Sequence, residues 1–381
     1  MEFKLNETQE SIQNLARDFA EKVLRPRIDD IEEVGHFPTD IYQQMADTGL
    51  LGIAFDEKYG GIGAGYDSFV LAFEELSKVS PSAATALLIT LLPLEAINLF
   101  GSEEQKQAYI GPSIEGKLRG SMAFTEPSTG SDPKQLTTTA RLDGDTWVIS
   151  GVKRFISNAA YAGPMLLYAK EAETGKCTAF LFDKPIEGYS TSTPWEKVGL
   201  LGSPCYDVFL DEVRVPNDDF HILGKRGDGF TILKATTAYG KLGFSAVFLG
   251  AFGGAVNAAK DYVTTKVHRD STITKFQAIQ MKFATMLSKY ESCRYMVYNC
   301  AETANDHSRL EEMLGQSALV KAYVGDTAVE GCVLAMNLMG SYGVMKEYQA
   351  ERFLRDALIG PHVEGQTDVQ RVIAAGYYLN H

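Results

Sequence analysis

Cysteine is scarce in this sequence, and its spacing argues against two common kinds of site. Five cysteines occur among 381 residues, without a Cys-x-x-Cys pair or a nearby histidine cluster: Cys177, Cys205, Cys293, Cys300 and Cys332. An odd number of widely spaced cysteines disfavours a disulfide framework, and unpaired spacing disfavours a zinc site. We therefore predict reduced, structural cysteines and no metal site.

Positive charge is also in short supply. The chain carries 36 lysine and arginine residues against 49 acidic residues, a formal net charge of -13 at pH 7, and it contains no long basic run. Nucleic acids and anionic lipid surfaces are bound through cationic patches, so this balance disfavours both as partners. We expect the ligand to occupy a pocket instead.

Apolar runs of membrane-spanning length are missing as well. The longest apolar stretch, residues 84–100, is interrupted by Pro93 and Glu95 and is short for a bilayer span, which predicts a buried helix. The first ten residues, MEFKLNETQE, lack the basic and apolar regions of a secretory signal. These absences lead us to expect a cytoplasmic protein without a membrane span.

The sequence does contain three segments of different periodicity. Residues 1–118 show helical spacing, beginning with a capping box formed by Asn6 and Gln9. Residues 119–228 contain short β-branched runs, and Asp143-Gly144 between two of them indicates a hairpin, because glycine supplies the positive φ of a tight turn. Residues 229–381 return to long helical patterns. We predict an α+β fold with an N-terminal helical domain, a middle β-barrel or sandwich and a C-terminal helical bundle.

Two motifs in the middle segment carry groups that suit a flat polar ligand. The loop FTEPSTGSD, residues 124–132, brings hydroxyls and free backbone N–H groups together, although by itself it is equally typical of an ordinary turn. In RFISNA, residues 154–159, Phe155 and Ser157 could place a ring and a donor beside a ligand. The alternative is an edge strand with normal alternation.

A third motif, VEGQTDVQR at residues 363–371, places Glu364 between a valine and a glycine near the end of the chain. The neighbouring Asp368, Gln370 and Arg371 are typical of a solvated helix face. Glu364 is either a capping or solvated carboxylate, or a group that takes part in a reaction. Its local sequence does not decide between these interpretations.

Six landmarks in order resemble the acyl-CoA dehydrogenase family over essentially the whole chain: FTEPSTGSD, DGDTWVISGVKRFISNA, GLLGSPCYDVFLDEVRVP, KFQAIQ, ERFLRDA and VEGQTDVQR. The resemblance implies FAD bound where the subunits of a homotetramer, or a homodimer, meet. It also implies oxidation of an acyl-CoA or acyl-carrier thioester at the α,β bond, with an electron-transfer flavoprotein as the electron acceptor.

The resemblance assigns roles to individual residues. Glu364 takes the position of the catalytic base. The alternative base position used by some relatives falls at Gly240, which has no side chain that could accept a proton. The positions expected to contact the flavin are Phe124, Thr125, Ser131, Phe155 and Ser157. The positions expected to contact the substrate are Ser131, Tyr239, Lys241 and Gly365.

Other family positions for the cofactor are altered here. The usual RxxFG motif becomes KVHRD, so that Lys266 and Arg269 stand where Arg and Phe are expected. Unlike arginine, lysine cannot form a bidentate hydrogen-bonded contact with a phosphate. The remaining cofactor positions implied by the resemblance are Gln277, Asn337, Gly340, Ser341, Gln366 and Asp368.

Three other functions remain open at this point. The substrate could be an acyl or hydroxyacyl group on a carrier protein in secondary metabolism. The chain could be an oxygen-using flavin enzyme on the same scaffold. It could also be a non-enzymatic scaffold with a vestigial flavin site, which the presence of Glu364 disfavours.

Overall fold

A computed structural model describes residues 4–33 and 35–381 of the chain. Residues 1–3 and 34, which belong to the predicted N-terminal helical segment, lie outside the described residues. The α-helices found there are α1 (Glu7–Phe19), α2 (Ile28–Ile31), α3 (Thr39–Asp47), α4 (Gly65–Ser77), α5 (Pro81–Phe100), α6 (Glu103–Ile114), α7 (Gly229–Thr265), α8 (Gln277–Ala304), α9 (Leu310–Met339), α10 (Ala350–Ala357) and α11 (Thr367–Asn380).

The strands lie between α6 and α7, apart from one short hairpin after α7. They are β1 (Ser121–Ala123), β2 (Thr139–Asp143), β3 (Thr146–Ser157), β4 (Gly163–Glu171), β5 (Cys177–Lys184), β6 (Tyr189–Thr191), β7 (Cys205–Pro216), β8 (Val267–His268) and β9 (Ser271–Thr272). The main sheet has the order β1-β4-β2-β3-β7-β6, with β5 also paired to β4. The predicted α+β class is confirmed.

Local sequence signals explain where several elements begin. Asn6 and Gln9 form the predicted capping box of α1, each side chain accepting a hydrogen bond from the other residue's backbone N–H. Ser80 caps α5, whose first residue is Pro81. The predicted hairpin joins β2 to β3, with Gly144 at φ +67°.

The strand β3 contains a bulge that turns a side chain out of the sheet. Lys153 pairs with Val208 and Ile156 pairs with Tyr206, so two residues of β3 oppose the single residue Asp207. One of the two, Phe155, adopts φ +60°. Bulges bend a strand and re-aim side chains, often next to functional sites. Phe155 is accordingly 54% exposed, although it lies within a strand.

The main core joins both helical segments to one face of the sheet. Leu166 and Tyr168 of β4 pack into this core, while Met165 and Leu167 face a second core on the other side. Among the described residues, α5 and α7 are long and apolar enough to cross a membrane by length and composition, but 78% and 89% of their apolar windows are buried inside the fold. All five cysteines are free and buried.

Candidate active site

Two cavities meet at Glu364. One, of about 450 Å³, lies among the loop after β1, the first turns of α7, and the helices α9 and α11. The other, of about 350 Å³, lies among α5, the same loop and the end of β3. Both cavities are bounded by Phe124, Gly130, Ser131, Glu364 and Gly365. The structure therefore brings the loop motif and the C-terminal motif of the sequence together.

A strained turn between α10 and α11 presents Glu364 to the cavities. Glu364 adopts φ +50° and Gly365 adopts φ +91°. The positive φ of Gly365 would strain any other residue, and a Cβ there would lie 2.0 Å from Nε2 of Gln370, so the Gln370 side chain would also have to move. The Lys321 ammonium donates a hydrogen bond to the Gly365 carbonyl. A positive φ in a non-glycine residue costs free energy and persists where its surroundings hold it.

The Glu364 carboxyl is buried but not hydrogen-bonded at one oxygen. The residue as a whole is half-buried, and its Oε2 atom is fully buried and has no hydrogen-bond partner among the described residues. Burial raises the pKa of Glu364 to about 7, against the opposing effect of the Lys241 and Lys321 ammonium groups. Burial in turn lowers the pKa of each lysine to about 8. The result is a carboxyl that exchanges its proton near neutral pH.

The helix α7 approaches Glu364 through Gly240. A Cβ on Gly240 would lie 3.0 Å from Cδ of Glu364 and 3.1 Å from Cδ2 of Leu92. The absence of a side chain at this position therefore leaves room for the carboxyl. The two neighbours of Gly240 diverge, since Lys241 lines the 450 Å³ cavity and Tyr239 lines a third, small cavity beyond Leu92.

A buried ion pair holds the loop that separates the two cavities. Lys153 Nζ lies 2.8 Å from Oε1 of Glu126, and both side chains are fully buried. Glu126 also accepts hydrogen bonds from the backbone N–H groups of Thr137 and Thr138 and from the Thr137 hydroxyl. These contacts fix the loop directly after Thr125. The hydroxyls of Thr125 and Ser131 are thereby held at the cavity wall.

The far wall of the 350 Å³ cavity is formed by the end of β3. Phe155 and Ser157 both line it, and their predicted contact with a flat ligand stays a prediction. The ring of Trp195 packs edge-on against Phe155 at a centroid distance of 5.4 Å, and its indole N–H donates to Asp207 at 3.0 Å. Trp195 was missed in the sequence because nothing local to it signals a contact with β3.

Lys321 was also missed, although a signal for it exists. It stands in the apolar segment SALVKAYVG of α9, and it is almost fully buried. A lysine is rarely buried without a partner. Its partners lie more than forty residues further along the chain, in the Glu364 turn, so no local pattern connects Lys321 with them.

The other predicted cofactor positions lie elsewhere on the chain. Neither cavity is lined by any of six of them: Lys266, Arg269, Gln277, Asn337, Gly340 and Ser341. Lys266 directly follows α7, Gly340 and Ser341 directly follow α9, and Lys266 Nζ lies 4.8 Å from the ring centre of Tyr342. Arg269 occupies the turn between β8 and β9 at φ +47°.

The two altered positions after Glu364 have partners within the chain. Gln366 lines the 350 Å³ cavity, and its side-chain oxygen caps α11 by accepting from the backbone N–H groups of Asp368 and Val369. Asp368 is exposed and pairs with Arg371 at 2.7 Å. Of these two residues, only Gln366 is placed beside the cavity by this chain alone.

The residues around the 350 Å³ cavity fit the isoalloxazine part of FAD. The wall offers the aromatic face of Phe155 and the hydroxyls of Thr125, Ser131 and Ser157, and the unpaired carboxyl of Glu364 lies at its border with the second cavity. A flat heterocycle with several polar edge atoms needs this combination of apolar surface and a few placed donors. The second cavity opens onto the same carboxyl and leaves room for the thioester end of a substrate whose α,β bond lies between the carboxyl and the ring.

Comparison with known proteins establishes the class. Models of the acyl-CoA dehydrogenase N-terminal, middle and C-terminal domains match residues 6–117, 121–213 and 227–378. The chain therefore belongs to the acyl-CoA dehydrogenase family. It is an FAD-dependent oxidoreductase that acts on the CH–CH bond of acyl-CoA.

Individual relatives cover the chain from end to end. A short-chain specific acyl-CoA dehydrogenase of Clostridium acetobutylicum is 33% identical over 99% of both chains. A subunit of the caffeyl-CoA reductase-Etf complex of Acetobacterium woodii is 34% identical over 98% of this chain and 99% of its own. The structure of butyryl-CoA dehydrogenase from Megasphaera elsdenii superposes with a TM-score of 0.93 at 31% identity, with complete coverage of both chains.

Proposed function

We propose that Glu364 is the base that removes the α-proton of an acyl-CoA thioester as its α,β bond is oxidised. The observation that carries this proposal is the Glu364 carboxyl at the junction of the two cavities, with one buried oxygen that has no partner among the described residues. A general base should have a pKa near the working pH. Burial gives Glu364 such a value, about 7.

The surroundings of Glu364 supply the rest of what proton removal needs. The Lys241 and Lys321 ammonium groups favour the carboxylate over the neutral acid, so a useful fraction is ionised at neutral pH. The turn held by Lys321 fixes the direction in which the carboxylate points. When the α-proton leaves, negative charge develops at the thioester oxygen, which then needs a hydrogen-bond donor.

A backbone group beside the base can act as that donor. Within the described part of the chain the N–H of Glu364 makes no hydrogen bond, while its turn neighbours Val363 and Thr367 donate to Ile359 and Pro361. Glu364 lines both cavities, and an N–H without a partner in such a residue is available to bind a developing oxyanion. FAD, when bound, supplies the acceptor for the hydride that leaves the β-carbon.

The partner and the assembly extend this proposal. A relative whose name joins it to an Etf complex supports an electron-transfer flavoprotein as the redox partner. Six predicted cofactor positions line neither cavity of the same chain. This arrangement is what a cofactor shared between subunits requires, and we propose a homo-oligomer on that basis.

The test is anaerobic reduction of the bound flavin. The purified protein should be yellow, and saturated acyl-CoA thioesters of graded length should bleach it; an acyl-pantetheine should be assayed beside them, since a carrier protein presents the same arm. Glu364→Gln should keep the colour and lower the bleaching rate by about 10²-fold to 10⁴-fold, the usual contribution of a general base.

A matched control separates loss of the base from general damage. Glu115 is an exposed glutamate after α6 whose carboxylate, among the described residues, pairs only with Lys117, so Glu115→Gln should bleach at the rate of the unaltered protein. Bleaching by Glu364→Gln at that same rate would show that another group removes the proton.

A further inference from the structure

A third, small cavity lies beyond the proposed reaction site. It has a volume of about 20 Å³ and is enclosed by α4, α5, α7 and the turns after α3. Leu92 lines both this cavity and the 350 Å³ cavity that contains Glu364. A substrate chain that passes Leu92 would end here.

The small cavity contains a carboxyl without a partner. Glu95 is 5% exposed, and its Oε1 atom makes no hydrogen bond among the described residues. The hydroxyl of Tyr66, which also lines the cavity, makes no hydrogen bond of normal geometry among the described residues, and it is the neighbour whose interaction favours the ionised form of Glu95. No ion pair involving Glu95 occurs within the described parts of the chain, and its pKa is raised to about 7 by burial.

A buried carboxyl without a cation is costly, so its presence needs a reason. Two other buried glutamates of the fold have a cation: Glu74 lies 3.0 Å from Lys78, and Glu171 lies 2.9 Å from Arg226. Glu95 stands instead in a wall that is otherwise apolar and aromatic. This pattern indicates that its partner comes from outside the chain.

The aromatic residues of the wall indicate the charge of that partner. Tyr66 and Tyr239 pack at a ring centroid distance of 5.0 Å, and Tyr66 and Phe69 at 6.0 Å; Phe55 completes the aromatic part of the wall. Aromatic faces attract cations, and aromatic cages bind ammonium groups. Together with the carboxyl of Glu95 they favour an ammonium group over an anion.

The position of the cavity relative to Glu364 fits a short chain. Gly240 separates Glu364 from Leu92 by little more than the space of one methyl group, since its missing Cβ would lie about 3 Å from both. Leu92 and Glu95 are three residues apart on α5, which places them on one face with a rise of about 4.5 Å. An acyl chain reacting at Glu364 therefore reaches Glu95 with its far end.

We propose that the acyl group of the substrate ends in an ammonium group that is bound by Glu95, Tyr66 and Tyr239. This inference rests on the proposed function, because it requires the reacting carbon to lie at Glu364. It names the substrate class as an ω-ammonium acyl thioester.

The test compares matched thioesters on the FAD-loaded enzyme. Acyl-CoA chains of five to seven carbons are made with a terminal dimethylammonium group, which cannot close to a lactam, and with the isosteric isopropyl group. At one length, kcat/KM should be at least tenfold higher for the cation. Glu95→Gln should reduce that cation-to-neutral ratio at least tenfold, and Tyr66→Phe should reduce it to a smaller extent.

The outcomes distinguish this inference from the proposed function. A ratio near one at every length, with turnover that still depends on Glu364, would overturn the ammonium proposal and leave the base intact. An unchanged ratio in Glu95→Gln would do the same. Turnover of both thioesters by Glu364→Gln at the rate of the unaltered protein would instead overturn the function. If Glu95→Gln does not fold, the test is competition by free alkylammonium ions of graded length. They should inhibit the oxidation of short neutral thioesters, and an absence of inhibition at every length would overturn the ammonium proposal.

Discussion

Glu126, in the loop whose other residues line the two cavities, and Glu364, where the cavities meet, both carry buried carboxyl oxygens, yet their surroundings give them opposite properties. Glu126 contacts the Lys153 ammonium at 2.8 Å and accepts three further hydrogen bonds. These interactions overcome burial and lower the pKa of Glu126 to about 2. Glu364 has two lysines nearby but leaves one oxygen without a partner among the described residues, and burial raises its pKa to about 7.

The difference shows what decides whether a buried carboxyl stabilises the fold as a fixed ion or takes part in proton transfer. Burial lowers the pKa of Lys153 to about 8, but the carboxylate and the Tyr168 carbonyl around its ammonium keep it protonated at neutral pH. Glu126 is therefore permanently ionised and fixes a loop. Glu364 can take up and release a proton because its lysines act at a distance and do not occupy its oxygens.

The largest effect is expected from breaking the structural pair. Lys153→Met leaves the Glu126 carboxylate buried without its cation, which should lower the free energy of unfolding by about 3–5 kcal/mol. The loop that bounds both cavities should also lose its anchor, so FAD should dissociate more readily. Denaturant unfolding and the visible spectrum after dialysis measure both.

The matched control for this change removes both charges. Lys153→Met combined with Glu126→Gln buries no unpaired charge, so part of the lost stability should return. An equal loss in the single and the double variant would show that the size of the side chains, and not the ion pair, holds the loop.

The pH dependence of kcat/KM tests the proposed role of Glu364. The base acts in its ionised form, and the pKa of Glu364 is about 7, so kcat/KM should fall about tenfold for each pH unit below 7 and level off above it. Lys241 from α7 and Lys321 from α9 face this carboxyl, and burial lowers their pKa values to about 8. The measured value therefore belongs to the cluster of three groups. A profile that is flat from pH 5.5 to 9 would exclude Glu364 as the base.

Replacing one lysine at a time should separate the electrostatic effect on the pKa of Glu364 from the hydrogen bond that holds its turn. Lys241 influences Glu364 by charge alone, since no hydrogen bond from its ammonium is found among the described residues. Lys241→Met should raise the pKa of Glu364 and lower kcat/KM at pH 6.5 by roughly threefold to tenfold, with the rate above the shifted pKa preserved.

Lys321→Met provides the comparison, because Lys321 also donates to the Gly365 carbonyl. This variant should show the same shift of the pH profile and an additional loss at high pH, where charge no longer matters. Equal plateaus in the two variants would mean that the hydrogen bond does not position the base.

Local features of the fold could be predicted from the sequence, and distant ones could not. The capping box at Asn6 and the turn at Gly144 depend on residues within a few positions of each other, and both are found as predicted. The bulge at Phe155 depends on Asp207 more than fifty residues away. No pattern within β3 indicates that two of its residues will oppose one residue of another strand.

The site shows the same limit. The loop at Ser131 and the turn at Glu364 could be brought together only through the resemblance, and the structure places them at one border. Their assigned roles stay predictions. Glu95 entered the sequence analysis only as an interruption of an apolar run, because its surroundings come from three helices and a turn.

Glu95 offers the smallest and most diagnostic effect, on stability. Its pKa is raised to about 7 by burial, from an ordinary value of 4.5, so the folded state holds the proton more tightly than the unfolded chain. The cost of ionising it is therefore absent below pH 4.5, grows between pH 4.5 and 7 and is complete above pH 7. Glu95→Gln should raise the melting temperature by about 1–3 °C at pH 8 and by less at pH 5.5. A structural carboxyl such as Glu126 predicts the opposite sign, so a melting temperature that falls at pH 8 would show that Glu95 already has its partner within the protein.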